Sequence, residues 1–140
     1  SSELPTDAAA SYTANQVIDG SLETSWVEGV DGPGVGESFT LTFPAPLLVE
    51  QIGMSIGFDR DDAIFTANNR IKQATIRFSN GYEFEQTFAD TRGIQTFDIA
   101  PPSPELAEVT SVTVVIQDIY PGTRFDDTCL AEIEVWGRTP

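Results

Sequence analysis

The chain has 140 residues, a length that suits one globular domain over residues 1–140, and its formal net charge is −15. Because only seven residues are basic, nucleic acid and anionic membrane surfaces are poor partners, since both bind through Lys and Arg. The absence of histidine and the single cysteine exclude an internal disulfide, a Cys/His nucleophilic pair and most zinc sites, and no apolar run reaches the roughly 20 residues of a membrane-spanning helix.

Short alternating segments separated by turn residues follow one another along the chain, a pattern typical of an all-β sandwich. No stretch shows helical periodicity over enough residues to predict a helix. In one segment Ala74, Ile76 and Phe78 are predicted to face inward. The predicted strands are residues 38–43, 48–58, 71–79, 82–89, 94–99, 109–119 and 130–136.

Proline and glycine define two of the strand boundaries. Pro44 and Pro46 are expected to stop the first strand, because proline has no N–H group for a sheet ladder. Asn80 and Gly81 separate two strongly alternating segments. They favour the type I′ turn of a tight hairpin, because both residue types tolerate positive φ.

Three long connections, residues 26–37, 58–70 and 118–128, separate the predicted strands. Each combines acidic residues with at least one aromatic residue. Long loops on a compact scaffold often carry binding sites, so we predict the ligand-binding surface here. The alternative is that these loops only connect strands.

Two separated fragments contain oxygen donors that suit calcium, which takes roughly six to eight oxygen ligands. Asp19 and Glu132 can each supply a carboxylate, and Thr24 can supply a hydroxyl and a carbonyl. Gly20 lets the backbone curl so that carbonyl groups turn inward. Spacing alone leaves open that Asp19 and Gly20 form an ordinary turn and that Glu132 faces solvent.

The pattern V-I-D-G-S-x-x-T-S-W at residues 17–26, followed by L-A-E-I-E-V-W-G at residues 130–137, resembles the discoidin family. This family is also called the coagulation-factor type C domain, and it includes the family 32 carbohydrate-binding modules. The resemblance extends from about Ala14 to Gly137. It implies an eight-stranded jelly-roll β-sandwich, the galactose-binding-domain-like fold, whose all-β class agrees with the seven strands predicted from the sequence.

Many bacterial members of the discoidin family bind a structural calcium ion between the early Asp-Gly loop and the last strand. Many relatives also tie their ends with a disulfide, which this chain cannot form. By position, the implied calcium ligands are the carbonyl groups of Gln16, Ser21 and Ala131, the side chains of Asp19 and Glu132, and both oxygens of Thr24.

Three further stretches, residues 26–37, 68–72 and 120–128, are similar to one branch of that family, the NADase-type glycan-binding domains. This likeness implies glycan binding and does not imply NADase activity. The segment 58–67 departs from the branch because it is unusually acidic.

Aromatic and polar side chains of the long loops are the predicted ligand contacts. An aromatic face stacks on a pyranose ring, and amide, guanidinium and carboxylate groups bind its hydroxyls. Trp26 either stacks on a sugar in this way or, as we favour, fills the core behind the calcium loop. For Asn69 and Arg70 the alternative is that Asn69 caps a turn and Arg70 pairs with a nearby acid. The predicted contacts are Trp26, Glu28, Phe65, Asn69, Arg70, Tyr120, Phe125, Asp126 and Asp127.

We therefore expect a non-enzymatic carbohydrate-binding module of a larger secreted or cell-surface protein, which binds glycan or polysaccharide and is stiffened by calcium. The main alternative is a protein-binding or adhesive module without a sugar site. A hydrolase needs two carboxylates that face each other across a cleft, and among 22 acidic residues such a pair arises by chance. Membrane binding through apolar loop residues is disfavoured by the negative charge of the loops.

Three single features have competing interpretations. The negative charge serves solubility, or it reflects adaptation to a salty medium in which the repulsion is screened. Cys129 is expected to be a buried, inert thiol, since a nucleophilic role would need a base other than histidine. Trp136 alternates with Glu134 rather than with Val135, so we expect it to close one end of the sandwich.

Overall fold

The structure is a computed structural model, and it describes residues 26–27, 31–101, 108–138 and 140, with side chains from residue 31 onwards. This part consists of strands and one short helix, which confirms the all-β fold class. The predicted total of eight strands stays a prediction, because part of the chain lies outside these ranges. The elements are β1 (Trp26–Val27), β2 (Ser38–Ser55), α1 (Asp62–Ala67), β3 (Arg70–Phe78), β4 (Glu83–Thr87), β5 (Gln95–Asp98), β6 (Glu108–Tyr120), β7 (Cys129–Leu130) and β8 (Glu132–Arg138).

The strands pair antiparallel in one curled sheet and one short ribbon. The sheet has the order β4–β3–β6–β2–β5, and β8 also pairs with β2. The ribbon consists of β1 and β7. Strand β2 is shared: its first half pairs with β6, and its second half pairs with β5 and β8. The sheet therefore curls through β2 into two layers that enclose the core.

The prediction that Pro44 and Pro46 end the first strand is wrong. Strand β2 runs through both prolines and joins the two segments that were predicted as separate strands. Its pairing with β6 shifts register between Thr42 and Leu47, so the prolines lie where the regular ladder is interrupted. A proline is compatible with a strand at such a bulge, because no ladder N–H group is needed there.

The predicted hairpin at Asn80 and Gly81 is confirmed, but its turn type is not. Gly81 has a φ of 91°, whereas no non-glycine residue in the described ranges has a positive φ, which excludes a type I′ turn. The Gly81 N–H group donates to the carbonyl of Phe78 at 3.0 Å. The Tyr82 N–H group donates to the side chain of Asn80 at 3.0 Å. A loop over residues 79–81 with one left-handed glycine thus closes the hairpin.

Inward-facing side chains of the strands form one main core. Ala74, Ile76 and Phe78 belong to it, as the alternation predicted. The ring of Phe97 packs edge-on against Phe84 and Phe88, with centroid distances of 6.1 and 5.9 Å. The buried members are Phe39, Val49, Ile52, Met54, Ile56, Ile71, Ala74, Ile76, Phe78, Phe88, Val109, Val112, Val114, Ile116, Leu130 and Ile133.

Helix α1 lies in a segment that was predicted to be a loop. Asp61 caps it, because its carboxylate accepts a hydrogen bond from the Ile64 N–H group at 2.8 Å. Six residues are too few for a periodic signal, so the sequence pattern did not reveal this helix. No helix within the described residues is long and apolar enough to cross a membrane.

Candidate functional site

The three long loops predicted from the sequence meet at one end of the fold. The hydroxyl of Thr128 donates to the carbonyl of Pro33 at 2.6 Å. The N–H groups of Arg124 and Phe125 donate to the carbonyl of Ala67 at 3.1 and 2.8 Å. These bonds lock the loops into one continuous layer. We call the described residues 31–37, 62–69 and 121–128 together the loop surface.

Asn69 holds the layer together from inside. Its side chain is only 1% exposed. The side-chain amide donates to Asp126 at 3.0 Å and accepts from the Gly122 N–H group at 2.6 Å. A side chain at position 122 would collide with the backbone carbonyl of Ala67, so the close approach requires glycine. Asn69 therefore organises the loops from a buried position, and its contact with a ligand stays a prediction.

Arg70 is also buried and turned toward the protein. Its Nε and Nη2 atoms donate to the two carboxylate oxygens of Asp90 at 2.9 and 2.6 Å. Its Nη1 atom donates to the carbonyls of Asn68 and Pro121, each at 3.1 Å. This is the alternative in which Arg70 pairs with a nearby acid. The guanidinium thus connects several loops, and its role as a sugar donor stays a prediction.

Phe65 lies beneath the same guanidinium. Its ring is buried, and its centroid lies 5.4 Å from Cζ of Arg70, which is a cation–π contact. Gly57 leaves the space that both groups occupy, because a Cβ atom there would fall 2.8 Å from the Phe65 ring and 2.6 Å from Arg70 Cγ. The predicted exposure of Phe65 is therefore corrected: the residue supports the loops from below.

The acidic segment after β2 is tied to the connection between β4 and β5, which the sequence did not associate with the site. The buried carboxylate of Asp59 accepts hydrogen bonds from Ser55 Oγ at 2.8 Å, Arg92 Nε at 2.6 Å and the Gly93 N–H group at 2.7 Å. Arg92 also donates to the exposed Asp62 at 2.9 Å. Hydrogen bonds to Asp59 and Asp62 raise the pKa of the Arg92 guanidinium. The acids of this segment thus hold the fold together.

Tyr120 is half-buried. Its hydroxyl donates to the carbonyl of Phe88 at 2.7 Å, and the Lys72 ammonium lies 5.6 Å from its ring centroid. Both the hydroxyl and one region of the ring are therefore engaged by the protein. Tyr120 therefore borders the loops with its hydroxyl and part of its ring engaged, and its contact with a ligand stays a prediction.

Phe125 is the aromatic residue of the loop surface that faces solvent, with 41% of it exposed. The guanidinium of Arg124 lies 5.1 Å from its centroid. Asp126, which is exposed, follows directly, and Val35 on the neighbouring loop is exposed as well. An accessible ring, a guanidinium and a carboxylate within three consecutive residues form a shallow surface with both apolar and polar character.

Asp127 is the most perturbed acid of this surface. Partial burial, and then the negative charge of Asp126, raise the pKa of its carboxyl group above the ordinary value. A raised folded-state pKa means that Asp127 favours folding while it is protonated, below its ordinary pKa. This contribution is lost as the pH rises through the folded-state pKa.

Asp127→Asn is therefore expected to stabilise the domain slightly at neutral pH, by at most about 0.5 kcal/mol, because it removes a partly desolvated charge beside a like charge and solvent screens much of that effect. The gain should shrink as the pH falls below the folded-state pKa of Asp127. Chemical unfolding of both proteins at pH 7 and at pH 3.5 measures this difference. A variant that is less stable at pH 7 would show that the carboxylate forms a favourable contact.

Only one end of the predicted calcium site lies in the described part of the chain. Trp26 pairs with Leu130 in the ribbon, one residue before Ala131. The Ala131 N–H group donates to the carbonyl of Ser55 at 3.0 Å, and Glu132 is buried. Within the described residues there is no cluster of three or more acidic or cysteine side chains that could hold a metal. The predicted residues outside the description are Gln16, Asp19, Ser21, Thr24 and Glu28, together with the side chain of Trp26.

Comparison with known families gives a match over most of the chain. The family described as NAD glycohydrolase translocation F5/8 type C domain matches residues 1–136. A search of curated proteins finds no match.

Solved structures share the fold at low sequence identity. CpGH89CBM32-5 from Clostridium perfringens, in complex with GalNAc-β-1,3-galactose, has a TM-score of 0.70 and 18% identity, over 97% of this chain and 91% of that one. The Streptococcus pyogenes NAD+-glycohydrolase translocation domain has a TM-score of 0.51 and 20% identity, over 74% of this chain and 89% of that domain. The mycobacterial arabinofuranosyltransferase AftD has a TM-score of 0.68 and 16% identity, over 91% of this chain, which spans only 9% of that protein.

Proposed function

Because the chain belongs to the NAD glycohydrolase translocation F5/8 type C domain family, we propose that it is a non-catalytic module that binds glycan or polysaccharide through the loop surface. The same fold carries a disaccharide in the Clostridium perfringens module, which supports this ligand class. We further propose that the domain acts outside the cell as part of a larger protein.

The observation that carries the proposal is the exposure of Phe125 on an otherwise rigid layer. Its neighbours Asn69, Arg70 and Phe65 are buried and fix the loop backbones, so little ordering is required when a ligand binds. A pyranose can stack on the Phe125 ring while its hydroxyls reach Asp126 and Asp127.

The charge of the loop surface predicts which sugars bind. The one basic residue of this surface is Arg124, whereas its acidic residues are Asp31, Glu37, Asp62, Asp126 and Asp127. Neutral or cationic sugars are therefore preferred over sulfated or uronic ones, because desolvating like charges together is costly. A shallow surface of this size suggests a dissociation constant on the order of 0.1–1 mM, so useful attachment requires several modules.

A multivalent glycan array followed by titration calorimetry with calcium present tests this proposal. Phe125→Ala should weaken binding about tenfold with a nearly unchanged melting temperature, because the ring is exposed. Phe125→Tyr keeps the stacking face and should retain most of the affinity, and Arg77→Ala on another face is the matched control. Absence of any signal for neutral or amino sugars, or full binding by Phe125→Ala, would overturn the proposal.

A second candidate is a protein-binding surface at the same place. The guanidinium of Arg124 against the exposed ring of Phe125 favours this alternative, because arginine and aromatic residues are enriched at protein interfaces. The family description as a translocation domain is also compatible with a protein partner. If no signal on the glycan array depends on the loop surface, a protein is the better candidate for the ligand.

We also propose that one calcium ion joins the early loop to the start of β8. A buried carboxylate such as Glu132 is stabilised by cations, and the pairing of Trp26 with Leu130 brings the early fragment toward it. Oxygen ligands from Asp19 and Thr24 would complete a site that suits a hard cation.

Chelation is expected to lower the melting temperature, and calcium to restore it. A metal that binds only the folded state stabilises it by about 2.7 kcal/mol at one hundred times its dissociation constant. Asp19→Asn should remove this response, while Asp118→Asn, at an exposed acid on β6, should keep it. Identical melting curves with calcium and with chelator, in a protein that contains no metal by elemental analysis, would refute the site.

A further inference from the structure

Strands β5, β2 and β8 form a three-stranded layer with an outer face that the loop surface does not include. Gly53 in the centre pairs with Thr96 on one side and with Glu134 on the other. Gln51 likewise pairs with Asp98 and with Trp136. Residues paired across a sheet share a face, and alternate residues of one strand return to it. All six residues therefore belong to the outer face, while Ile52 and Met54 between them lie in the core.

The centre of this face is apolar because Gly53 has no side chain. Measured from the position that a Cβ atom of Gly53 would take, two atoms of the Trp136 six-membered ring lie at 3.0 and 3.1 Å, and a methyl carbon of Ile94 lies at 2.8 Å. Trp136 and Ile94 thus converge over the backbone of Gly53. They remain 41% and 38% exposed. We call Gly53, Ile94 and Trp136 the outer pad. The prediction that Trp136 closes one end of the sandwich is accordingly corrected.

Polar groups border the outer pad. The side-chain amide of Gln51, which pairs with Trp136 across the sheet, donates to Asp98 on β5 at 3.2 Å. Thr96 and Glu134 flank Gly53 on the neighbouring strands. Amide, hydroxyl and carboxylate groups around one accessible aromatic ring provide both donors and acceptors for the hydroxyls of a sugar.

We propose that the outer pad is a second carbohydrate site, on which a neutral or amino-sugar pyranose stacks against Trp136. The size of the pad decides for a sugar over a protein: stable protein interfaces cover about 800 Å² on each partner, whereas two exposed apolar side chains match a single pyranose. This inference shares the ligand class of the proposed function but none of its residues. With two separated sites, one domain can engage two positions of a polysaccharide.

The test is a titration followed by the indole N–H resonances in nitrogen-15 NMR spectra. The chain has two tryptophans, and Trp136→Phe identifies the Trp136 resonance by its loss. The probes are soluble tri- to pentasaccharides of glucose, mannose, galactose and N-acetylglucosamine. At least one should shift the Trp136 resonance in a saturable manner, and a Phe125→Ala variant should show the same shift.

Affinity at the pad is then measured with the active probe in a Phe125→Ala background. A pyranose that covers about 60 Å² of the indole contributes roughly tenfold in affinity, so Trp136→Ala should lose about that factor. Ile94→Ala should lower the affinity by a smaller factor, and it replaces Trp136→Ala as the test if that variant does not fold. Arg77→Ala, the control, should keep the full affinity.

Three outcomes would overturn the second site. They are no Trp136 shift with any probe, unchanged affinity in both the Trp136→Ala and Ile94→Ala variants, and a Trp136 shift that disappears in Phe125→Ala, which would indicate a single site. Loss of binding in Trp136→Ala with full binding in Phe125→Ala would retain the outer pad and refute the loop surface.

Discussion

Arg70→Ala is expected to lower the free energy of unfolding by about 3 kcal/mol, the lower end of the range for buried ion pairs, because Arg70 is buried whereas the side chain of Asp90 is 38% exposed. The substitution removes the two hydrogen bonds to Asp90 and the donor shared by the carbonyls of Asn68 and Pro121. It also removes the cation that covers Phe65. The melting temperature should fall by roughly 10 °C for a domain of this size.

Arg77→Ala is the matched control for this loss. Arg77 and Glu83 also form a short ion pair, at 2.7 Å, but both side chains are about half exposed. Exposed pairs contribute only about 0–1 kcal/mol, so the control should melt within a few degrees of the wild type. Arg70→Lys should lie between the two variants, because it keeps the charge but cannot form the paired contact. Equal melting temperatures for Arg70→Ala and Arg77→Ala would contradict the structural role of Arg70.

Asp59→Ala is expected to cost about 3 kcal/mol as well, because it leaves the buried Ser55 hydroxyl and the Gly93 N–H group without their acceptor and removes one of the acceptors of Arg92. The side chain of Asp59 is 1% exposed, whereas that of Asp62, the other acid bound to Arg92, is 90% exposed. Asp62→Ala therefore removes the exposed partner of the same arginine, and it should lower the free energy of unfolding by less than about 1 kcal/mol.

Equilibrium unfolding in urea separates these two aspartate variants. The connection between β4 and β5 is tied to the loops through Asp59. Removal of the Asp59 carboxylate should therefore also increase hydrogen exchange at the Gly93 N–H group, which donates to it. If Asp62→Ala is as destabilising as Asp59→Ala, burial does not determine the strength of this pair, and the interpretation fails.

The sequence predicted the core well because burial leaves a periodic trace. Apolar residues recur at every second position in β3 and β6, so Ile76, Val112 and Val114 could be assigned to the core without a structure. The continuous strand through Pro44 and Pro46 could not be predicted, since a bulge depends on how the partner strand is positioned.

The sequence indicated that the three loops lie together, but it did not indicate which of their side chains are buried. Arg70 finds Asp90 twenty residues away, and Asn69 finds Asp126 fifty-seven residues away. Such contacts leave no local pattern, and a polar loop residue that builds a site has the same sequence signature as one that binds ligand. Trp136 illustrates the converse: its indole lies over Gly53 of the neighbouring strand and stays 41% exposed, which no local pattern indicates.

Amide chemical-shift mapping with the best glycan from the array tests the loop surface most directly. If this surface binds the sugar, saturable shifts should concentrate at residues 121–127, and they should disappear in Phe125→Ala while the rest of the spectrum is preserved. Shifts at the outer pad should persist in that variant. A glycan that binds with no shift at residues 121–127, or whose shifts there survive Phe125→Ala, would contradict the proposed site.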